Sequence, residues 1–293
     1  MIEIIPYFAD RLADAVRRKK NAICLGIDPR WESLPKSIRD RHDAQSLDSV
    51  AKAFEVFSLR VLELVGAKVP VVKPQAAFFE ACGPEGFLAM KVILRRCREM
   101  NLVSILDAKR GDIASTAIAY ADAAFSASVW RADALTVNPY LGRDAIEPFL
   151  QTARKAENGV FVLVRTSNPG GGLFQNLVCD GKPLYQHVAE AVSSWNVERI
   201  GDCGLGDVGA VVGATHPREL AELRQLMPNV WFLIPGYGAQ GGTASDVKLG
   251  FREDGLGAIV NSSRGLTFPF QPDDPNWETA IVCAVDDMMN ALN

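Results

Sequence analysis

Residues 102–116 of the chain read LVSILDAKRGDIAST. The first five are apolar or small, which is typical of a strand that is buried on both faces of a sheet. Because side chains alternate along a strand, Asp107 and Lys109 are predicted to point the same way from its end, with Asp112 following in a Gly-containing turn. Charges are rarely buried unless they are paired, so this cluster at the end of a buried strand indicates a functional site.

Seven further apolar stretches alternate with segments of helical pattern, such as Pro148–Ala156. The eight predicted strands are Ala22–Ile27, Val69–Val72, Leu102–Leu106, Ala134–Val137, Val160–Val164, Val208–Gly213, Val230–Ile234 and Gly257–Val260. Strict alternation of eight strands with helices predicts an α/β fold, a closed (β/α)8 TIM barrel whose catalytic face lies at the carboxyl ends of the strands. A doubly wound open sheet is the alternative, but no G-x-G-x-x-G motif follows the first predicted strand.

The length of the chain fits one domain over residues 1–293, because a single barrel takes about 250 residues. Apolar residues recur at helical spacing near the N-terminus, which predicts a helix at about 5–20. The longest irregular stretch is expected at about 168–183, after the fifth strand, as a mobile lid or a surface insertion.

The composition excludes several classes of function. The net charge of -4 argues against a nucleic-acid partner. The six cysteines contain no C-x-x-C pair, and only three histidines occur, so neither a disulfide framework nor a structural zinc site is expected. No apolar run approaches the ~20 residues that a membrane span needs. We therefore expect a reduced, cytoplasmic setting and no membrane partner.

Four charged residues follow three consecutive predicted strands: Asp28, Lys73, Asp107 and Lys109, here called the charge network. In a barrel they meet with alternating sign, and one such pair at ~4 Å interacts by roughly 4 kcal/mol at an effective dielectric of ~20. The structural alternative is a salt-bridge network that only pairs the charges at the rim of the barrel and has no catalytic role. The neighbouring acids favour the ammonium form of Lys109, which suits stabilisation of a developing carbanion and proton delivery to it rather than a Schiff base.

Two glycine-containing loops are predicted to bind phosphate. Residues 235–242 read PGYGAQGG after the seventh strand, and residues 261–265 read NSSRG after the eighth. In α/β barrels these two loops often hold phosphate through backbone N–H groups. Arg264 adds a guanidinium whose forked donors match phosphate oxygens. Gln240 and Ser263 are weaker candidates for binding the phosphate.

The ordered motifs resemble orotidine 5'-phosphate decarboxylase, specifically the longer subfamily found in some bacteria. The core match is Asp-x-Lys-x-x-Asp-Ile followed by Thr, at Asp107, Lys109, Asp112, Ile113 and Thr116. Further matches, in family order, are Gly26-Ile-Asp28-Pro, Val72-Lys73-Pro-Gln75, Thr136-Val-Asn138-Pro-Tyr140, Arg165-Thr-Ser167-Asn-Pro169, the 235–242 loop and Ser263-Arg264-Gly265.

The resemblance implies decarboxylation of orotidine 5'-phosphate to UMP without a metal or an organic cofactor. It implies that Lys109 protonates C6 of the pyrimidine ring and that Asp107 faces the substrate carboxylate. It also implies that Lys73 and Asp28 contact the ribose. Asp112 and Thr116 would reach the neighbouring subunit's site, which implies a homodimer with shared active sites. Further substrate contacts are implied at Ile113, Asn138, Ser167 (or its neighbour Thr166), Gly236, Gln240, Gly241, Ser263 and Arg264.

Two alternatives remain open. A magnesium-dependent sugar-phosphate decarboxylase or synthase of the same superfamily places a metal-binding carboxylate at the end of the second strand. Lys73 holds that position here, and a cation repels a divalent metal. The other alternative is a non-catalytic barrel that binds a nucleotide phosphate, for which loss of a charge-network residue would be the sign; none is lost.

Overall fold

The computed structural model describes residues 7–127, 129–238 and 240–293, which form a closed barrel of parallel strands. The strands of this part are, in chain order, β1 Ile23–Ile27, β2 Val71–Pro74, β3 Val103–Arg110, β4 Ala134–Val137, β5 Gly159–Arg165, β6 Val178–Cys179, β7 Lys182–Pro183, β8 Val208–Val212, β9 Phe232–Ile234 and β10 Ala258–Ser262. Neighbours around the barrel follow the order β1-β10-β9-β8-β5-β4-β3-β2, whereas β6 and β7 form a separate antiparallel pair. The predicted TIM barrel is confirmed.

Helices surround the barrel. They are α1 Phe8–Lys19, α2 Lys36–Arg39, α3 Leu47–Val65, α4 Ala76–Glu80, α5 Gly83–Glu99, α6 Ala114–Phe125, α7 Arg143–Lys155, α8 Gly172–Gln175, α9 Leu184–Asn196, α10 Pro217–Leu226, α11 Ala244–Lys248, α12 Arg264–Thr267 and α13 Trp277–Leu292. Every residue of β1, β2 and β4 is buried, because these strands face the barrel interior on one side and the helices on the other. None of the helices in the described ranges is long and apolar enough to cross a membrane.

Helix α1 covers the amino-terminal end of the barrel. Its first residue, Phe8, is buried and packs edge-on against Phe161 of β5, with ring centroids 6.1 Å apart. Gly159, the first residue of β5, leaves the space that the Phe8 ring occupies. Residues 5 and 6 of the helix expected at about 5–20 lie outside the described residues. Because α1 covers the amino-terminal end, the carboxyl end is left for the site.

Two expectations about local structure are wrong. The stretch at about 168–183 contains regular elements: a 3-10 turn at Pro169–Gly171, helix α8 and the β6–β7 pair. Gln175 folds this segment back onto the end of β5, since its side-chain amide bonds both the backbone N–H and the hydroxyl of Thr166.

Helix α7 begins at Arg143, five residues before the proline that was expected to start it. Pro148 lies inside the helix, where it removes a backbone donor. The buried face that Ala145, Ile146 and Phe149 share outweighs this loss.

Candidate active site

A cavity of about 210 Å³ lies at the carboxyl ends of the barrel strands. Predicted site residues from both halves of the barrel line it: Asp28, Lys73, Asp107, Gly236, Gln240, Ser263 and Arg264. The fold therefore brings the predicted charged residues and the predicted phosphate-binding loops to one place.

Asp107 is the centre of the charge network. Its side chain is buried, and its carboxylate accepts four hydrogen bonds, two on each oxygen. Lys73 Nζ (2.6 Å) and Gln75 Nε2 (3.0 Å) donate to Oδ2. Lys109 Nζ (2.7 Å) and Thr136 Oγ1 (2.9 Å) donate to Oδ1. These bonds fix the carboxylate in one orientation.

The electrostatics of the network favour its charged forms. Burial tends to raise the pKa of Asp107, but the ammonium groups of Lys73 and Lys109 hold this pKa well below its usual range. Burial tends to lower the pKa of Lys73, but the carboxylates of Asp107 and Asp28 outweigh burial and raise it. Asp107 and Lys73 are therefore an ionised pair at neutral pH.

Asp28 lines the same cavity but makes no ion pair with Lys73 within 4.0 Å. Its Oδ1 atom is buried and accepts no hydrogen bond from the described part of the chain. A buried carboxylate oxygen without a partner is costly, so this atom suits a ligand that donates a hydroxyl hydrogen bond into the cavity.

Asp107 and Lys109 meet through a bulge in β3 rather than through regular alternation. Between two successive ladder pairs, β3 contributes residues 107–109, whereas β4 contributes only Thr136. Lys109 adopts a left-handed backbone conformation with φ of 47°. The expected proximity of the two side chains is present, but the reason given for it from strand alternation is wrong, because the bulge turns the strand end.

Residues of both predicted phosphate-binding loops line the cavity. Only glycine fits at position 26 of β1, because a Cβ atom there would overlap Ser263 Oγ. Arg264 is exposed at the start of α12, and its guanidinium makes no hydrogen bond or ion pair within the described ranges. Gly236 and Gly241 have φ values of 98° and 96°, which favour glycine. The N–H of Gly241 donates to Gly238 O, and Ala239 lies outside the described residues.

The remaining predicted residues, Lys109 and Gly241 among them, do not line this cavity, although Lys109 Nζ donates a hydrogen bond to the lining residue Asp107. Asp112, Ile113 and Thr116 lie where α6 begins, and Ile113 is 54% exposed. Asn138 follows β4, but its Oδ1 accepts the Tyr140 N–H within its own loop. Ser167 follows β5 and lies beside Gly236, since a Cβ atom on that glycine would be 3.3 Å from Ser167 Cβ.

Sequence reasoning did not assign a role to two residues that bond Asp107, namely Gln75 and Thr136. Gln75 pairs with Asp107 across the sheet and lies two residues after Lys73, so strand alternation was the signal for it. Thr136 is a polar residue within a buried strand, which was a weaker signal. Arg30, Ser33 and Phe268 line the cavity without any prediction. Pro235, Tyr237, Asn261 and Ser262 also line it and belong to the predicted phosphate-binding loops, but no separate role was assigned to them. The described residues contain no group of three His, Cys, Asp or Glu side chains placed to hold a metal ion.

The barrel, the charge network at its carboxyl end and the adjoining glycine loops define a TIM-barrel enzyme with a charged site. The chain belongs to the family described as "Orotidine 5'-phosphate decarboxylase / HUMPS family", whose model matches residues 21–272.

Known proteins align with this chain over most of its length. An orotidine 5'-phosphate decarboxylase of Rhodopirellula baltica is 46% identical, with 97% of this chain and 98% of the relative covered. One from Haloarcula marismortui is 42% identical, with 89% and 87% covered. Among solved structures, the OMP decarboxylase of Leishmania donovani has a TM-score of 0.78 and 35% identity, with 98% of each chain covered.

Proposed function

We propose that this chain decarboxylates orotidine 5'-phosphate to UMP and carbon dioxide, a step of pyrimidine biosynthesis. The observation that carries the proposal is the Lys109 ammonium, 2.7 Å from a buried and fully hydrogen-bonded carboxylate in the barrel cavity. Family membership and the shared name of both curated relatives support the choice of substrate.

The reaction breaks the bond between C6 and the carboxylate carbon, and the electron pair stays on C6. The Lys109 ammonium stabilises this developing carbanion and donates a proton to C6. Its side chain is 46% exposed, so the ammonium is accessible to a ligand. Asp107 orients Lys109 and lies against the substrate carboxylate, where its fixed charge also disfavours the ground state.

The rest of the substrate is held by the cavity walls. Asp28 Oδ1, which lacks a hydrogen-bond donor in the described chain, accepts from a ribose hydroxyl, and Lys73 lies beside it. Arg264 binds the phosphate with the help of the neighbouring loops. The other proposed contacts with substrate or phosphate are at Asn138, Ser167, Gly236, Gln240, Gly241 and Ser263.

We also propose a homodimer whose subunits share active sites. Asp112, Ile113 and Thr116 lie outside the cavity of their own chain, at the exposed start of α6, so they are available to a second copy. Exposed apolar side chains on the same helix, Ile118 and Tyr120, support burial of this region in an interface. The cytoplasmic setting stays a prediction.

Turnover of orotidine 5'-phosphate, followed by ultraviolet absorbance in excess EDTA, tests the proposed activity. We expect conversion to UMP that EDTA does not slow, because the proposed chemistry uses Lys109 and no metal. Activity only with Mg²⁺ on a sugar phosphate would favour the metal-dependent alternative. Binding of UMP without turnover by folded protein would favour the non-catalytic barrel.

A further inference from the structure

The bulge in β3 leaves two backbone donors without ordinary ladder partners. Residues 107–109 face Thr136 alone, so the N–H groups of Ala108 and Lys109 cannot both find carbonyl acceptors on β4. The Thr136 hydroxyl accepts both, at 3.0 and 2.9 Å. Both hydrogen bonds are part-buried, and an N–H group without an acceptor there costs free energy, so the hydroxyl stabilises this bulge.

The same hydroxyl also contacts the charge network. It donates its hydrogen to Asp107 Oδ1 over 2.9 Å. A hydroxyl has one donor hydrogen and two acceptor lone pairs, and Thr136 uses all three. Thr136 is only 1% exposed, so water does not compete for its hydroxyl.

The Lys109 backbone needs this support. Its φ of 47° lies in the left-handed region, which a non-glycine residue adopts only when its surroundings hold it there. The hydrogen bond from the Lys109 N–H to Thr136 holds the backbone, and the bond from Thr136 to Asp107 fixes the carboxylate that Lys109 Nζ contacts. One side chain therefore sets both ends of the Lys109–Asp107 pair.

We propose that Thr136 is a positioning residue that fixes Lys109 and Asp107 relative to each other for proton delivery. Thr136 is buried, whereas the Lys109 side chain is 46% exposed, so Thr136 acts through Lys109 and Asp107 and not through contact with substrate. This inference rests on the proposed decarboxylase function. It goes beyond that function by assigning the geometry of the lysine and the acid to a hydroxyl on the neighbouring strand.

Thr136→Val and Thr136→Ser variants test the proposal. Valine keeps the shape of threonine but lacks the hydroxyl, whereas serine keeps the hydroxyl. A displacement of about 1 Å costs about 100-fold in rate, so we expect Thr136→Val to lower kcat by about that factor. The KM for orotidine 5'-phosphate and the affinity for UMP should change by less than about threefold, because the binding residues remain. Thr136→Ser should keep most of the kcat of the wild type.

Ser104→Ala is the matched control. Ser104 is a fully buried hydroxyl on β3 that exchanges hydrogen bonds with Asp133 near the amino-terminal end of the barrel. Its loss should lower the melting temperature without lowering kcat. If Thr136→Val keeps the wild-type kcat, or lowers it no more than Ser104→Ala does, Thr136 is not a positioning residue. If Thr136→Val does not fold, a Thr136→Ser kcat as low as that of Lys109→Ala overturns the proposal.

Wild-type turnover, measured in the same assay, separates the two claims. A folded wild type without turnover overturns the decarboxylase function and with it the inference. An active wild type beside an equally active Thr136→Val overturns the inference alone.

Discussion

The Asp107 carboxylate is one of the two acids that keep the buried Lys73 charged. It is buried, and the cations of Lys73 and Lys109 hold its pKa well below the usual range. Breaking a buried pair by removing one partner is more costly than the pair's own net contribution, because the other charge stays buried. Lys73 would be left in that position, since it is buried and its raised pKa depends on the neighbouring acids.

Asp107→Asn should therefore destabilise the protein at pH 7 by about 3 kcal/mol. The folded-state pKa of Asp107 is lower than the unfolded one, so the unfolded chain binds more protons at acidic pH. The stability that this carboxylate contributes is complete above the ordinary Asp pKa of about 4 and is lost as the pH falls below it. Urea unfolding from pH 7 to pH 3 should show the gap between wild type and variant narrowing. A gap that stays constant over this range would be inconsistent with an ionised Asp107.

At this scale the sequence indicated which residues meet but not how they meet. Asp28, Lys73 and Asp107 were detectable because a charged residue directly after an apolar strand has to lie at the barrel rim. The bulge at residues 107–109 was not detectable, since ladder register depends on the partner strand and not on the local pattern.

The loops after β9 and β10 line one cavity, and the loop after β10 lies against the end of β1. Gly26 allows Ser263 to approach β1 closely, and this brings Arg264 to the cavity wall. The barrel positions of these loops could be predicted from the order of the strands. The use of the Gly241 N–H within its own turn could not, because it depends on the φ angles that the loop adopts.

Arg264→Ala should weaken binding more than it slows chemistry. A hydrogen bond to a charged group contributes about 1.5–3 kcal/mol, so we expect KM for orotidine 5'-phosphate to rise about 10- to 100-fold. Orotidine, the nucleoside without the phosphate, should be turned over slowly. Added inorganic phosphate or phosphite should speed this turnover more in wild type than in the variant. Arg95→Ala, at an exposed position on α5, is the control and should behave as wild type. An unchanged KM in Arg264→Ala would remove this residue from the phosphate site.

At the scale of the whole molecule, the two ends of the barrel differ: one is closed by packed apolar side chains and the other holds the candidate site. Helix α1 closes the amino-terminal end with Phe8, while the charge network and loops occupy the carboxyl end. The strand and helix alternation was sufficient to predict the closed barrel, but not the position of α1 at its amino-terminal end. Whether a second copy completes the site depends on surface complementarity, which a single sequence does not encode in its periodicity.

Mixing two inactive variants tests the shared site. In a heterodimer of Lys109→Ala and Asp112→Ala chains, one of the two sites has an intact Lys109 from one subunit and an intact Asp112 from the other. We expect activity to return to about one quarter of the wild-type value when the subunits exchange at equal amounts, because half of the dimers are then mixed and each has one intact site. Verified heterodimers without any recovered activity would show that Asp112 acts only within its own chain.

The most direct measurement is the kcat of Lys109→Ala for orotidine 5'-phosphate, beside wild type and an exposed-lysine control, Lys52→Ala on α3. Proton delivery contributes about 100- to 10,000-fold, and Lys109 also stabilises the carbanion, so kcat should fall by at least about 100-fold. UMP affinity and melting temperature should stay close to the wild-type values, and Lys52→Ala should match wild type. A folded Lys109→Ala variant with wild-type kcat would contradict the central role given to this lysine.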